Sequence, residues 1–482
     1  MQIKRRDFLK ASVAAGAVAA LSGPSLNAFA QSSGSKDIGT EEGKWIPSTC
    51  QGCTAWCPVE FFVQNGRAVK VRGNQLSKAN GGYCCPRGHL MLQQLYDPDR
   101  IKVPMKRTNP QKGRGIDPKF VPITWDEATN IIADKIIELR KNNEPHKYLL
   151  MRGRYSDHNA ILYDSFTKII GSPNNISHSA ICAEVEKFGS YYTEGFWGYR
   201  DYDLDKMKYL IVWACDPVSS NRQVPNSISK LNRILEEGTV VAIDSRMSNT
   251  AAKAHKWLPI KPSEDGALAT AMAHVILTSG LWNKEFCGDF KDGKNLFVAG
   301  KTVDEASFNE KHTNGLVKWW NIELKDRTPE WAAKITGIDK KTIIEVAKGF
   351  AKAAPNCAVW YGPNMQPRGS YAVLCMHALN GLVGATDSEG GIHAPQSAPS
   401  TGYPKIDAFQ DDIAKAGVKQ KKIDQRGTLK FPALASGKAG SGVVTNNVAN
   451  AINAADPYDI KVAIGYFNNF NFAGTDGGRW DK

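Results

Sequence analysis

The sequence lacks several features that would place it in a common class of protein. No segment after the N-terminal run ASVAAGAVAALSG is apolar enough to span a bilayer. The GxGxxG fingerprint of NAD- and FAD-binding domains is absent. No RNA- or DNA-binding motif is present, so nucleic acid is not an expected partner, and no short-period repeat is evident. A chain of 482 residues, 42% of them hydrophobic, is long enough for several packed domains.

Acidic residues are in deficit, since 48 Asp and Glu stand against 61 Lys and Arg and give a formal net charge of +13. Without residues 1–30, which hold four basic residues and one acidic residue, the charge is about +10. Because no nucleic-acid motif accompanies it, this basic balance favours anionic substrates and phosphate-bearing cofactors.

The N-terminus has the pattern of a twin-arginine (Tat) export signal. Arg5 and Arg6 precede the short apolar run, and a small-residue motif predicts cleavage after Ala30. An ordinary secretory signal or a membrane anchor is the alternative, but the run is rich in Ala and Gly and shorter than a membrane span. Tat export moves folded proteins, which suits a periplasmic protein that is loaded with cofactors in the cytoplasm.

The ten cysteines do not resemble a disulfide scaffold, because several are scattered singly. The others read Cys50-x2-Cys53-x3-Cys57, then 27 residues, then Cys85. Four thiolates in this arrangement suit a [4Fe–4S] cluster or a structural zinc. Cys84 adjoins Cys85, and we assign Cys85 as the fourth ligand because Pro-Arg-Gly follows it.

The segment between these cysteines predicts a β-hairpin. Residues 59–64 and 68–72 are strand-like, and Asn65-Gly66 between them is a strong two-residue turn signal. A hairpin returns the chain to its start, which would carry Cys85 back towards Cys50.

Zinc is the simpler alternative to a cluster. A zinc ribbon usually has two CxxC pairs, whereas the first group here is a triplet with unequal gaps, which favours the cluster. Arg87 is either a surface arginine or a residue between the cluster and a second redox group.

The cysteine spacing followed by C-x-R-G resembles the iron–sulfur domain of the molybdenum bis-pterin oxidoreductases, the dimethyl sulfoxide reductase superfamily. The stretch ITWDEA also resembles the sequence that follows this domain in the superfamily. The resemblance implies an α/β fold, in which an α+β iron–sulfur domain precedes doubly wound Rossmann-like domains. It also implies a [4Fe–4S] cluster and a Mo-bis(molybdopterin guanine dinucleotide), although tungsten in place of molybdenum stays open.

The resemblance also suggests a division of the chain. The superfamily normally continues into a C-terminal barrel, so we expect this sequence to be truncated. The predicted segments are a signal peptide over 1–30, a 4Fe–4S domain over 31–110, an incomplete α/β pterin-binding domain over 111–144 and 351–482, and an α/β domain with the molybdenum ligand and the dinucleotide site over 145–350.

Hydrophobic patterns predict the elements of these domains. A helix with an apolar face at Ala128, Ile131, Ile132, Ile136 and Ile137 begins near Trp125. The expected strands are residues 148–151, 208–215, 239–243, 357–363 and 460–466, and the expected helices include 159–170 and 225–237.

A predicted active site follows the first strand–helix unit. Cys182 lies before a helix, where the helix dipole would stabilise a thiolate, and the superfamily has its molybdenum ligand at this position. A core thiol is the alternative. Oxyanion-binding residues are expected in RGRYS at a strand end and around Cys182, with surface charge as the alternative, and they are Arg154, Tyr155, His178, Ser179 and Lys187.

The superfamily binds its pterin dinucleotide at W-x-x-N-P-x-x-S, which residues 213–220 resemble with Asp216 in place of Asn. This replacement puts the contact of that residue in doubt, while Ser219 and the following helix N-terminus remain suited to phosphate. The full set of expected cofactor-binding residues is Arg87, Ser219, Asp244, Arg246, Pro262, Glu264 and Asp265.

Within the superfamily, CQGCTAWCPVE, RGRYS and SHSAICAE resemble the periplasmic respiratory arsenate reductases. The expected partners are a ferredoxin-like multi-cluster subunit, a quinol-linked electron donor, the Tat machinery and an oxyanion, and a partner would provide any membrane association. The alternatives are a polysulfide, thiosulfate or tetrathionate reductase or an arsenite oxidase of the superfamily, and, in a different class, a non-catalytic iron–sulfur or zinc-binding exported protein.

Overall fold

The computed structural model describes residues 42–153, 157–362, 369–395, 402–431 and 443–482, without the side chains of residues 157, 158, 160 and 179. The predicted signal peptide therefore lies outside the described residues, as do Arg154 and Tyr155 of the predicted oxyanion site.

Strands and helices alternate along most of the chain. The strands are β1 Lys44–Thr49, β2 Pro58–Gln64, β3 Arg67–Gly73, β4 Met105–Arg107, β5 Phe120–Pro122, β6 Tyr148–Arg152, β7 Asn175–Ser177, β8 Asp201–Tyr202, β9 Tyr209–Trp213, β10 Thr239–Ile243, β11 Lys256–Leu258, β12 Gly288–Phe290, β13 Phe308–Glu310, β14 Cys357–Tyr361, β15 Ile392–His393 and β16 Val462–Tyr466. The α-helices are α1 Pro86–His89, α2 Met91–Leu95, α3 Trp125–Lys141, α4 Asp157–Ile170, α5 Glu184–Glu194, α6 Val224–Glu237, α7 Asp265–Thr278, α8 Lys284–Cys287, α9 Leu316–Ile322, α10 Pro329–Thr336, α11 Lys340–Lys352, α12 Gly369–Leu382, α13 Asp412–Gly417, α14 Val448–Ala454, α15 Phe470–Ala473 and α16 Gly478–Asp481. No helix in these ranges is long and apolar enough to cross a membrane.

The N-terminal region is an antiparallel sheet in the order β1-β2-β3. The predicted hairpin is confirmed: β2 and β3 pair, and Asn65 and Gly66 join them with positive φ values of 51° and 71°. Two positive φ values are characteristic of the type I′ turn that Asn-Gly favours. Val59 and Val71 are buried beside Cys50 in a small core, so the hairpin supports the cysteine loop directly.

The central sheet is parallel and has the order β11-β10-β9-β14. The chain leaves β9 towards β10 on one side, and β14 joins on the other, so the strand order reverses between β9 and β14. Ligands of open α/β sheets bind beyond the carboxyl ends of the strands at such a switch point. The main hydrophobic core lies on this sheet, and α7 is apolar on all sides and almost entirely buried in it.

A second parallel sheet has the order β16-β6-β7. Its strands come from both sides of the predicted boundary at residue 350, because β16 from the end of the chain pairs with β6. The central sheet also crosses this boundary, since β14 pairs with β9. Pairing between such distant segments leaves no local signal in the sequence, so the strand positions were predictable and their partners were not.

Helix α3 begins where the pattern indicates, and the Thr124 hydroxyl accepts a hydrogen bond from the Glu127 backbone N–H at its N-cap. Of the predicted apolar face, Ile136 is buried, whereas Ile132 and Ile137 are 44% and 47% exposed. The hydrophobic period therefore predicts the helix correctly but overestimates how much of its apolar face is buried.

Candidate active site

Cysteine side chains line one pocket at the N-terminal end of the protein. They belong to Cys50, Cys53, Cys57, Cys84 and Cys85. The Cys50 backbone N–H donates to the Cys57 carbonyl at 2.9 Å and closes the loop between them. The Gly52 N–H donates to the Cys50 sulfur at 3.4 Å, and the Ala55 N–H donates to the Cys53 sulfur at 3.5 Å. Such N–H···S contacts stabilise thiolates, which are the form that binds metal.

The adjacent thiols of Cys84 and Cys85 have different environments. Burial raises the pKa of Cys84 to about 11. Burial also opposes ionisation of Cys85, but hydrogen bonds from the Gly88 backbone and from Arg87 outweigh it and hold the pKa of Cys85 below its usual value. Cys85 is the N-cap residue of α1, and its carbonyl accepts from the Gly88 backbone N–H at 2.9 Å. Cys85 therefore ionises more readily than Cys84, and its assignment as the fourth ligand stays a prediction.

Gly88 leaves the space that these sulfurs occupy. A Cβ atom at this position would lie 2.4 Å from the Cys84 sulfur and 3.5 Å from the Cys50 sulfur. The glycine of the C-x-R-G signature is therefore explained by steric exclusion, because a side chain at Gly88 would collide with the Cys84 sulfur.

The donor set fits a cluster better than a single ion. Burial and the neighbouring thiols Cys53 and Cys50 raise the pKa of Cys57 to about 11, so the thiolates need a cationic group among them. Within the described ranges, no three Cys, His, Asp or Glu side chains converge on the position of one metal ion. The all-sulfur donor set suits an iron–sulfur cubane.

A chain of contacts leads from this pocket towards Cys182. An Arg87 guanidinium nitrogen donates to the Asn221 carbonyl at 3.0 Å, and the following residues 223–225 line the thiol pocket. The next residue is Arg222, whose guanidinium lies 5.0 Å from the centre of the Tyr199 ring, and Tyr199 interacts electrostatically with Cys182. Arg87 therefore bridges the thiol pocket and the segment that reaches the second predicted site.

Cys182 lies two residues before α5, after a 3-10 turn at Ser179–Ile181. Cationic and aromatic groups surround this helix start. The Lys187 ammonium lies 5.6 Å from the centre of the Trp197 ring and 5.1 Å from that of Tyr199, and the Arg222 guanidinium lies 5.0 Å from the Tyr199 ring. Positive charge at the start of a helix is suited to an oxyanion.

The turn after β9 is fixed by Asp216, which is buried. Its carboxylate accepts hydrogen bonds from the Thr250 backbone at 3.1 Å, from the Thr250 hydroxyl at 2.6 Å and from the Ser219 hydroxyl. Burial opposes the charge, but these hydrogen bonds lower the pKa of Asp216. This residue therefore ties two loops together at the carboxyl edge of the sheet.

The same edge carries Asp244 directly after β10, where its carboxylate accepts from the Arg246 N–H at 3.1 Å. Beyond β9 and β14 the backbones come close, since a Cβ atom at Gly362 would lie 2.2 Å from the Ala214 carbonyl oxygen. At the switch point the backbones after β9 and β14 are therefore in close contact, and polar groups lie along the same edge of the sheet.

Family comparison agrees with this geometry. Residues 100–436 match the molybdopterin oxidoreductase family, and residues 43–97 match the molybdopterin oxidoreductase Fe4S4 domain. The chain belongs to the molybdopterin oxidoreductase family. Residues 2–22 match the twin-arginine translocation signal, which confirms the predicted export signal and supports a periplasmic location.

This molybdopterin oxidoreductase is 73% identical over 488 aligned residues to the molybdopterin-containing subunit of an arsenate respiratory reductase from Chrysiogenes arsenatis. It is 53% identical to the subunit of the same description from Shewanella sp. strain ANA-3 and 28% identical to that of a thiosulfate reductase from Salmonella typhimurium. The first two alignments cover 100% of this chain, and the third covers 96%. The chain spans 57% of the length of each of these relatives.

The fold has a solved counterpart in acetylene hydratase from Pelobacter acetylenicus. The TM-score is 0.67 at 18% identity, over 90% of this chain and 58% of that one. The predicted α/β class is therefore confirmed, and so are the molybdopterin and 4Fe–4S cofactors of the family.

The described residues of the predicted oxyanion site share one region of this molybdopterin oxidoreductase. His178 directly follows β7, where its backbone N–H donates to the Arg152 carbonyl at 3.2 Å and its carbonyl accepts from the Ile181 N–H at 3.0 Å. The backbone of Ser179 begins the following turn, and Lys187 projects from α5.

The expected dinucleotide residues divide into two groups. Ser219, Asp244 and Arg246 lie at the carboxyl edge of the central sheet, and Pro262 is exposed in the segment that precedes α7. Glu264 lines a different pocket with Arg327 and Trp331. Asp265 is buried and accepts a hydrogen bond from the Trp213 indole at 2.7 Å. This bond joins the first residue of α7 to the last residue of β9.

The sequence did not indicate three residues that the structure brings to this region, namely Glu186, Tyr199 and Arg222. For Arg222, the available signal was the position of a basic residue in the turn after β9, at the carboxyl edge of the sheet. Glu186 and Tyr199 belong to no motif, and their proximity depends on the packing of α5 against α12 and against Tyr361 at the end of β14.

Proposed function

We propose that the protein is the catalytic subunit of a respiratory arsenate reductase, which reduces arsenate to arsenite outside the cytoplasm. The observation that carries this proposal is the 73% identity to an arsenate respiratory reductase subunit, which extends over the whole of this chain. Bound molybdenum with two molybdopterin guanine dinucleotides would supply two-electron oxo transfer, and a [4Fe–4S] cluster would supply the electrons one at a time.

Each group of residues has a defined task in this proposal. Cys50, Cys53, Cys57 and Cys85 would hold the cluster, and Cys182 would be the protein ligand of molybdenum. Lys187, with Arg154, Tyr155, His178 and Ser179, would bind the oxyanion and withdraw charge from the oxygen that departs. Among these residues, His178 is also suited to proton delivery near neutral pH.

The cofactor would lie over the switch point of the central sheet, next to the Arg87–Asn221 contact. Arg87 would then stand between the cluster and the pterin, and the loop fixed by Asp216 would receive a dinucleotide phosphate near Ser219. Asp244, Arg246, Pro262, Glu264 and Asp265 complete the proposed contacts to the dinucleotide.

The proposed partners are a ferredoxin-like subunit with several clusters and, through it, a quinol-linked donor. A single cluster at the end of the protein needs an outside source of electrons. The relatives are themselves named as subunits, which agrees with a multi-subunit enzyme. Export of the folded complex by the Tat machinery would bring both subunits to the periplasm, where a partner could associate with the membrane.

The test uses the full-length enzyme with its electron-transfer subunit. We expect arsenate-dependent oxidation of reduced viologen, and we expect Cys182→Ala to abolish it while the iron content and the paramagnetic resonance signal of the cluster persist. Cys375→Ala, which removes a buried thiol on α12, is the matched control and should keep activity. Rapid turnover of thiosulfate, polysulfide or tetrathionate without turnover of arsenate would reject the proposed substrate.

A further inference from the structure

A carboxyl group lies among the cations that surround Cys182. Glu186 is on the first turn of α5, half-buried, and it interacts electrostatically with Arg222 from the turn after β9 and with Lys187 beside it on α5. The Tyr361 hydroxyl donates to the Glu186 backbone carbonyl at 3.4 Å and holds this turn of the helix against the end of β14. Glu186 thus lies between the switch point of the sheet and the segment that contains Cys182.

Several titratable groups interact electrostatically with Glu186. The charged ones lie on α5 and in the turn after β9, and the tyrosine and cysteine groups lie on or next to strands β8, β9 and β14. The titratable or charged groups that interact with it are Lys187, Tyr199, Tyr202, Cys215, Arg222 and Tyr361.

We propose that Glu186 holds a proton which the oxyanion takes up as it loses oxygen, and that Arg222 is the positioning residue that sets the charge of this carboxyl. The inference rests on the proposed function and extends it to residues outside the predicted site. Burial raises the pKa of Glu186 to about 7, although Arg222 and Lys187 oppose the shift. A carboxyl in this range exchanges protons readily at neutral pH.

Arsenate reduction consumes protons, so a proton-holding group has a place in the reaction. The singly charged dihydrogen arsenate ion takes up two electrons and three protons and gives one neutral arsenous acid and one water. One As–O bond breaks, arsenic(V) takes two electrons from the partner subunit through the cluster and becomes arsenic(III), and the oxygen leaves as water. Glu186 would provide one of these protons, and its carboxylate would then take up a new proton from solvent on the exposed side of Arg222.

Arg222 is held where it can act on Glu186 without being part of the oxyanion site predicted from sequence. Its guanidinium packs 5.0 Å from the centre of the Tyr199 ring, and the Arg87 bond to the Asn221 carbonyl fixes the neighbouring residue. The same short segment therefore contacts the thiol pocket and the carboxyl group.

The first test measures the pH dependence of arsenate reduction by the holoenzyme. If Glu186 must be protonated, kcat/KM should fall as the pH rises through about 7, and Glu186→Gln should lower the plateau about 10²-fold and remove this dependence. Arg222→Gln removes a cation that lowers the pKa of Glu186, so the fall in kcat/KM should move to higher pH. Arg222→Lys keeps the positive charge and should return the fall to the pH of the wild type. Arsenate itself changes protonation with pH, but this effect is the same for all variants, so the differences between their profiles report on the enzyme.

The second test does not depend on turnover. Arsenate binding to the oxidised holoenzyme adds negative charge beside Glu186 and raises its pKa, so binding at about pH 7.5 should take up protons. Titration calorimetry in buffers of different ionisation enthalpy measures this uptake. We expect less uptake by Glu186→Gln than by the wild type, with binding retained, and an unchanged uptake in Glu237→Gln, an exposed glutamate at the end of α6.

Proton uptake and a pH profile that are the same in Glu186→Gln and the wild type would overturn the inference. If the wild-type enzyme reduces thiosulfate and not arsenate, the proposed substrate fails separately. Reduction of thiosulfate to sulfide and sulfite also consumes a proton, so the same two measurements with thiosulfate then decide the role of Glu186.

Discussion

The thiols at the N-terminal end of the protein share a pocket but differ in how readily they ionise. Cys85 receives hydrogen bonds at the start of α1, whereas Cys84 donates its S–H to the Cys85 carbonyl at 3.7 Å and is a buried thiol with a raised pKa. A metal ligand must be a thiolate, so the residue that the helix start stabilises has the advantage.

Substitution of each cysteine by serine separates the two roles. We expect Cys85→Ser to lose the [4Fe–4S] cluster, measured as iron content and as the paramagnetic resonance signal of the reduced protein. Cys84→Ser is the control of equal size and should keep both, because its thiol is not needed as a thiolate. Loss of the cluster in Cys84→Ser with retention in Cys85→Ser would reverse the assignment.

Asp216 shows what a single substitution within a family motif can change. Replacement by Ala leaves the buried Thr250 hydroxyl and N–H without their acceptor, which should cost about 2–4 kcal/mol of unfolding free energy. Because the folded state lowers the pKa of Asp216 from 3.8, its contribution is present above that value and is lost as the pH falls below it.

Urea unfolding of the holoenzyme at pH about 7 and about 3 measures this contribution. The difference between wild type and Asp216→Ala should shrink at the lower pH. Asp216→Asn keeps an acceptor and should cost less than Asp216→Ala at neutral pH. Equal stability of all three proteins at pH 7 would show that the loop does not depend on this carboxylate.

The elements of the fold differ in how far local sequence predicts them. The Asn-Gly turn determines the first hairpin by itself, since few other residues tolerate two positive φ values in succession. Thr124 and the apolar period similarly predict α3. The pairing of β16 with β6 and the meeting of Glu186 with Arg222 have no local signature, because each depends on segments that are distant in sequence.

Strand β16 provides a test of this long-range pairing. Its apolar side chains Val462 and Ile464 pack on the core formed by Tyr148 and Leu150, whereas Ala463 on the opposite face of the same strand is exposed. We expect Ile464→Asp to lower the unfolding free energy by about 3 kcal/mol or more, because it places a charge against buried apolar groups.

Ala463→Asp is the control, with the same new charge one residue away, and it should change the unfolding free energy by less than about 0.5 kcal/mol. Thermal or urea unfolding of the two variants measures the difference. Similar losses in both variants would mean that β16 does not present its even-numbered residues to this core.

At the scale of the whole molecule, each parallel sheet is completed by a strand from late in the chain, β14 in one and β16 in the other. The cysteine loop is supported by its own hairpin, but the Arg87–Asn221 contact links it to the central sheet. The chain must therefore be largely folded before the two predicted metal sites can face each other. Such a protein gains from export in the folded state.

The twin-arginine signal allows this order of events to be tested. Lys does not substitute for Arg where a receptor recognises the guanidinium group. Replacing both Arg5 and Arg6 by Lys should therefore prevent recognition by the Tat machinery and retain the protein in the cytoplasm. Lys10→Gln, which removes one charge outside the pair, is the control and should leave export unchanged. Cell fractionation with antibody detection measures the location.

The retained protein is expected to keep its metals and its activity. Cytoplasmic Arg5→Lys/Arg6→Lys protein should contain iron and molybdenum at the wild-type ratio and should oxidise reduced viologen with arsenate in broken cells, while intact cells lose growth on arsenate. Metal-free protein in the cytoplasm would mean that loading follows export, and the folded-state argument for this signal would then fail. Loaded protein would place cofactor insertion, and with it the closing of both sheets, before translocation.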